Sequence, residues 1–121
     1  MKNSNELTIK GVFVVVPTPL NDDETIDKKG LIHLINYYIE SGCPGILVLG
    51  SGGEFPYFSF EERLEIAKTA SLAVDGRVPL MVGVGFNSEI ETNSFIEQTS
   101  LLSIDCYLVI VPIYYPARFE D

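Results

Sequence analysis

The sequence alternates between short continuous apolar runs and longer segments in which apolar residues recur at every third or fourth position. The first pattern is typical of strands that are buried on both faces, and the second is typical of helices with one buried face. Strands are therefore predicted at 12–16, 45–49, 78–82 and 106–111. Helices are predicted from position 27 to a stop at Gly42, at 59–74 and, with a less regular apolar stripe, at 88–103.

This β-α-β-α-β-α-β order repeats about every 30 residues, the length of one βαβ unit, so the strands are predicted to be parallel with right-handed crossovers. Two α/β architectures fit the order. One is a four-stranded doubly wound sheet, and the other is the first half of a TIM (β/α)8 barrel, which needs about 250 residues when complete. The 121 residues are predicted to form one partial domain with a polar lead-in at 1–10.

Both architectures gather functional side chains at the carboxyl ends of their strands. The residues that follow the four predicted strands include Thr18, Ser51, Gly52, Asn87 and Tyr114. Because polar residues occur at all four ends, the sequence predicts a binding or catalytic site along this edge of the sheet.

The segment around which the chain is organised is the Gly50-Ser51-Gly52-Gly53 turn after the second strand. Exposed N–H groups of a glycine turn that leads into a helix suit an anion, either a carboxylate or a phosphate. The following helix begins with Ser59 and Glu62 in the spacing of a capping box. A plain tight turn is the alternative interpretation.

Composition excludes several classes of function. The net charge of −9, with the Lys and Arg residues scattered, argues against nucleic acid and against a membrane surface. Cys43 and Cys106 lie far apart and are predicted to be buried free thiols, and one histidine gives almost no support to a metal site. The polar lead-in lacks the features of a signal peptide, so we expect a soluble, cytoplasmic protein.

Three further patterns have competing interpretations. Gly83-Val84-Gly85 has Ser88 where a dinucleotide-binding fingerprint needs glycine, so a nucleotide site is a minor hypothesis. Glu54 is a candidate acid or base, but carboxylates after such turns often bond to loop amides, and we favour that structural role. Tyr114 and Tyr115 are either core aromatics or, at a strand exit, proton relays.

Five motifs, in this order and at strand-exit spacing, resemble one known family: Pro17-Thr18-Pro19, Gly50-Ser51-Gly52-Gly53-Glu54, Arg77-Val78-Pro79, Gly83-Val84-Gly85 and Pro112-Ile113-Tyr114-Tyr115-Pro116. The chain resembles, from Gly11 onwards, the N-terminal half of the dihydrodipicolinate synthase and N-acetylneuraminate lyase family of pyruvate-dependent class I aldolases. The resemblance implies a (β/α)8 barrel, usually a tetramer. It also implies that a lysine forms a Schiff base with pyruvate or another 2-keto acid, without a cofactor or metal.

The resemblance also assigns roles to residues of this chain. Ser51 and Gly52, with Gly53 and Thr18 beside them, correspond to the residues that bind the carboxylate of the keto acid. Ser51 and Tyr114 correspond to members of a proton relay, in which the tyrosine is typically lent to a neighbouring subunit. Tyr115 takes the place of Tyr114 if the register slips by one residue.

The chain departs from the family pattern in two ways. Many members carry two hydroxyl residues in the turn, whereas the second position here is Gly52, which weakens the match to dihydrodipicolinate synthase and favours 2-keto-3-deoxygluconate-type aldolases. The Pro112–Pro116 motif instead favours N-acetylneuraminate lyase. The family's lysine is expected beyond the position that matches Asp121, so this chain is expected to lack the nucleophile. The competing hypothesis is a non-catalytic half-barrel that binds a carboxylate or associates with itself.

Overall fold

The computed structural model describes residues 9–111, which form four strands, three helices and two short 3₁₀ turns. The strands are β1 (Phe13–Val15), β2 (Gly45–Val48), β3 (Leu80–Val84) and β4 (Cys106–Val109). The helices are α1 (Lys28–Glu40), α2 (Phe60–Val74) and α3 (Glu89–Thr99), and the 3₁₀ turns are Ser51–Gly53 and Phe55–Tyr57. The predicted element order is therefore confirmed.

The four strands form one parallel sheet in the order β1-β2-β3-β4. Right-handed crossovers that always add the next strand on the same side place every helix on one face of the sheet. Consistently, α1 packs against α2, and α2 packs against α3. A doubly wound sheet needs a reversal of strand order, which the described strands do not show, so the barrel half is the architecture that the sheet supports.

The hydrophobic core lies between the sheet and this layer of helices. Alternate strand residues such as Ile46, Val48 and Val82 are buried against it. From the helices it receives apolar side chains that are almost fully buried, namely Leu31, Ile35, Ile66, Ala67, Ala70, Val74 and Phe95. Phe60, Leu64 and Ile96 are only partly buried, at its margin.

The opposite face of the sheet is not covered by the helices. Val15 and Leu108 point away from the core and are each 41% exposed. Their neighbours across the strands are Leu47 and Gly83 respectively. This face therefore presents apolar side chains between the two edge strands, β1 and β4.

The helices begin where their capping residues predict. The Ser59 hydroxyl accepts from the Glu62 N–H, and the Glu62 carboxylate accepts from the Ser59 N–H, which completes the predicted capping box of α2. At α3, the Ser88 hydroxyl accepts from the Glu91 N–H but also contacts the Glu91 carboxylate, so this second box is only half formed.

The third strand was predicted two residues too early. Pro79 has no N–H to donate to the ladder, and β3 begins at Leu80, whose N–H donates to the Asp105 carboxylate. As a result, Gly83 lies inside the strand and not in a turn. A Cβ on Gly83 would lie only 1.9 Å from the Leu49 carbonyl oxygen, so this glycine permits a close approach of β3 to the end of β2.

Two further expectations need correction. Helix α3 ends at Thr99 and not near position 103, because the next N–H groups bond to carbonyls three residues back: Ser100 donates to Glu97, and Leu102 donates to Thr99. Cys43 and Cys106 are free thiols, as predicted, but each is half-buried and not fully buried. The lead-in before residue 9 lies outside the described residues.

Candidate active site

The carboxyl ends of β1 and β2 are joined by a buried hydrogen bond. The Thr18 hydroxyl donates to the Gly53 carbonyl oxygen at 2.7 Å, and Thr18 is only 7% exposed. A Cβ on Gly53 would lie 3.1 Å from the Val16 carbonyl oxygen, so glycine lets the turn lie against the end of β1 without a tight contact. Two of the predicted site residues are thus brought together across the sheet edge.

The segment Ser51–Gly53 forms one turn of 3₁₀ helix. The Gly53 N–H donates to the Gly50 carbonyl at 3.0 Å, and the Glu54 N–H donates to the Ser51 carbonyl at 3.0 Å. The N–H groups that open such a turn point away from its own carbonyls. Ser51 and Gly52 are exposed, so their N–H groups and the Ser51 hydroxyl are available at the surface of the edge.

The residues on both sides of this turn include one with a left-handed backbone conformation on each side. Leu49 has φ 58° and is fully buried, and Glu54 also has φ 58°. A positive φ is costly for a residue as bulky as leucine and persists only where the surroundings enforce it. The surroundings here are β3, where Gly83 makes room for the Leu49 carbonyl. The reversal at Leu49 turns the chain sharply out of β2 and presents Ser51 at the edge.

Arg63 is a structural residue of this edge that the sequence analysis missed. It lies on α2, is 8% exposed, and donates through Nε to the Phe58 carbonyl at 3.0 Å and through Nη1 to the Gly85 carbonyl at 2.7 Å. Its guanidinium carbon lies 4.5 Å from the centre of the Phe86 ring and 5.5 Å from that of Phe55. Arg63 therefore ties the segment after β2 to the segment after β3.

Burial lowers the pKa of the Arg63 guanidinium from its usual value, and the charge of Glu91 partly opposes this effect. An arginine beside two glutamates at the start of a helix has the pattern of a solvated face, which is why it was not singled out. The available signal was the pair of phenylalanines, Phe55 and Phe86, that follow two neighbouring strands and offer rings on which a guanidinium stacks.

The remaining predicted residues are placed as follows. Asn87 is exposed at the end of the segment after β3, and the one histidine, His33, is exposed on α1. Glu54 is exposed, and neither of its suggested roles is tested. Tyr114 and Tyr115 lie outside the described residues, so the proton relay stays a prediction.

Other classes of site find no support between residues 9 and 111. Within this range, no group of three or more His, Cys, Asp or Glu side chains is arranged to hold a metal ion. No helix in the same range is long and apolar enough to cross a membrane. Gly83 and Val84 belong to β3, so this segment lacks the glycine loop between strand and helix that a dinucleotide-binding fingerprint requires.

Comparison with known proteins identifies the family. Residues 8–121 match the model of the Dihydrodipicolinate synthetase family, and the chain belongs to that family. It is 36% identical over 104 residues to 4-hydroxy-tetrahydrodipicolinate synthase of Ligilactobacillus salivarius. That match covers 85% of this chain but 36% of the relative, so the chain spans about a third of the length of the curated relatives.

Solved structures agree with this assignment. The fold superimposes on N-acetylneuraminate lyase from Mycoplasma synoviae with a TM-score of 0.83 and 32% identity, covering 89% of this chain and 38% of the lyase. It also superimposes on YagE, an E. coli K12 prophage protein of the dihydrodipicolinic acid synthase family solved with pyruvate, with a TM-score of 0.81 and 35% identity, covering 88% and 36% respectively. The four strands are the N-terminal portion of a TIM barrel.

Proposed function

We propose that this chain provides the carboxylate-binding part of a carbon–carbon lyase that acts on pyruvate or another 2-keto acid through a Schiff base. The observation that supports the proposal best is the Ser51–Gly53 turn, in which Ser51 and Gly52 are exposed while Thr18 holds the buried Gly53 at the carboxyl edge of the sheet. Membership of a family in which one relative was solved with pyruvate supports the same choice of ligand over a phosphate.

In this proposal each residue of the turn has a defined task. The Ser51 hydroxyl and the N–H groups of Ser51 and Gly52 donate to the substrate carboxylate, because hydrogen bonds to a charged acceptor are stronger than neutral ones. Gly53 and Thr18 contribute to binding of the substrate by keeping the turn in place. No metal or cofactor takes part. Tyr114, together with Ser51, passes the proton, with the tyrosine lent to a neighbouring subunit.

The covalent step belongs to a lysine amine that attacks the keto carbon and releases water, leaving an imine. Its enamine form then makes or breaks the carbon–carbon bond. None of the described lysines, which are Lys10, Lys28, Lys29 and Lys68, directly follows a strand, so we assign this step to a lysine beyond the matched portion. The active assembly is then a homo-oligomer in the cytoplasm, a tetramer if the barrel is complete.

An intact mass measurement tests the covalent chemistry. Protein from its source cells is treated with pyruvate and then borohydride, which reduces a Schiff base to a stable amine. A polypeptide heavier than 13.4 kDa that carries one reduced pyruvate supports the proposal. An unmodified species of 13.4 kDa contradicts catalysis by this chain.

Binding of the carboxylate is tested separately by calorimetry with pyruvate. We expect Ser51→Ala to weaken binding about tenfold, because the turn loses its side-chain donor to a charged group. Ser41→Ala is the matched control, since Ser41 is exposed at the far end of α1 and donates only to the Tyr37 carbonyl. Equal effects of the two substitutions would contradict a role for Ser51.

A second candidate function is self-association without catalysis. The uncovered sheet face, with Val15 and Leu108 each 41% exposed between the edge strands β1 and β4, supports it. Such edges and apolar surfaces favour pairing with another chain. Light scattering of the 121-residue chain tests this candidate: a concentration-independent monomer argues against it, and a dimer that Leu108→Lys dissociates supports it.

A further inference from the structure

The side chain of Val15 fills the space beneath the candidate carboxylate-binding turn. Val15 ends β1, pairs with Leu47 and is 41% exposed on the sheet face that the helices leave uncovered. A Cβ on Gly52 would lie 3.2 Å from Val15 Cγ1, and a Cβ on Gly50 would lie 3.0 Å from the same atom. One isopropyl group thus lies against two of the three glycine positions of the turn.

These distances couple positions 15 and 52 by size. Two carbon atoms pack best at about 3.5–4.0 Å, so a side chain at position 52 requires Val15 to move or to be smaller. Of the four residues 50–53, Ser51 alone has a side chain. The turn therefore supplies one side-chain hydroxyl, from Ser51, and β1 beneath it supplies the methyl groups of Val15.

We infer that Val15 is a specificity-determining residue of this site: it disfavours a side chain at position 52 and presents an apolar surface to the group attached to the keto carbon. The inference rests on the proposed function and specifies its substrate class. A 2-keto acid with an apolar group beside the keto carbon, such as the methyl group of pyruvate, is favoured over one with a polar group of the same size.

The size coupling is tested by a double-mutant cycle in urea unfolding, which compares Val15→Ala, Gly52→Ser and the double variant with the unaltered chain. The intrinsic cost of serine in the turn cancels in the cycle. We expect the unfolding equilibrium constant of the double variant to be about fivefold smaller than the product of the single effects predicts. Additive effects would overturn the coupling.

The ligand preference is tested by NMR titration with pyruvate and with oxamate, which has the same shape and charge but carries an amide nitrogen in place of the methyl group. We expect the unaltered chain to bind pyruvate about fourfold more tightly, the effect of one buried methyl group. Val15→Thr keeps the shape of valine and replaces one methyl with a hydroxyl, so it is expected to bring the ratio of the two dissociation constants close to one.

The control is Val12→Thr, because Val12 is 77% exposed and precedes β1 at the other edge of the sheet. It is expected to leave the ratio unchanged. If the unaltered chain binds neither ligand, the proposed function fails and the substrate preference fails with it. If the chain binds pyruvate and Val15→Thr leaves the ratio unchanged, the inference about Val15 fails while the proposed function stands.

Discussion

The hydroxyl of Thr18 and the carbonyl of Gly53 are 35 positions apart in sequence and 2.7 Å apart in space. This buried hydrogen bond connects the end of the first strand with the end of the candidate carboxylate-binding turn. Because a Cβ on Gly53 would lie 3.1 Å from the Val16 carbonyl oxygen, the turn and the end of the strand are also in direct contact beside the bond. The position of Ser51 therefore depends on Thr18, which follows β1, and not on the turn alone.

Removing the Thr18 hydroxyl tests this dependence. Thr18→Val leaves the Gly53 carbonyl without its donor, and we expect the free energy of unfolding to fall by about 1–3 kcal/mol. Thr18→Ser is the control, since it keeps the hydroxyl and loses only a methyl group, at a cost of about 1 kcal/mol. Urea denaturation gives both values, and a Thr18→Val chain as stable as the original would contradict the assignment.

Replacing Gly83 tests the close approach of β3 to β2. A Cβ there would lie 1.9 Å from the Leu49 carbonyl oxygen, so backbone must move and we expect Gly83→Ala to cost roughly 3 kcal/mol or more. The comparison is Gly42→Ala, where the Cβ has free space and only the positive φ of 89° is penalised, by about 1–2 kcal/mol. Equal losses at the two positions would show that the clash is relieved by local adjustment.

Replacing Arg63 tests whether its hydrogen bonds hold the segment after β2 against the segment after β3. Arg63→Met removes both donors and the ring contacts, and we expect a loss of about 2–4 kcal/mol. Hydrogen exchange should also become faster in the segment that contains Gly85 and Phe86. Arg63→Lys keeps the charge but lacks the planar fork, so it should restore only part of the stability. Lys68→Met, at an exposed position of α2, is the control, and an equal effect there would refute a special function for Arg63.

Cys106 provides a pH-dependent prediction. Burial, helped by the charge of Asp105, raises the pKa of the Cys106 thiol. The folded chain therefore holds its proton more tightly than the unfolded chain, so stability is complete below the unfolded pKa and declines as pH rises through the folded pKa. In a Cys43→Ala background, we expect iodoacetamide to alkylate the folded chain more slowly at pH 8 than the urea-unfolded chain. Equal rates would contradict the shift.

The sequence predicted the parts of the fold that depend on local pattern. The element order, the exposed turn at Ser51 and the cap at Ser59 follow from apolar periodicity, glycine placement and short-range hydrogen bonding. Periodicity alone could not choose the order β1-β2-β3-β4 over a doubly wound sheet, because it describes each strand and not its neighbours. The family resemblance implied the half-barrel, and the sheet confirms it.

Residues that act through distant contacts were the ones missed or misplaced. The Arg63 guanidinium donates to carbonyls of residues that lie five and 22 positions away in sequence. Nothing in its own segment indicates that it is buried. The start of β3 is set by Asp105, which binds the Leu80 N–H from 25 positions away. Such long-range pairings are fixed only when the strands are side by side.

The strand order has a consequence for biosynthesis. In this sheet each strand pairs only with the strand that precedes or follows it in sequence, so spatial order and order of synthesis are the same. As the chain emerges from the ribosome, β2 can pair with β1, then β3 with β2, and then β4 with β3. No pair that has already formed has to open. Growth of this kind proceeds in one direction, and β4 is the edge that would receive the next unit.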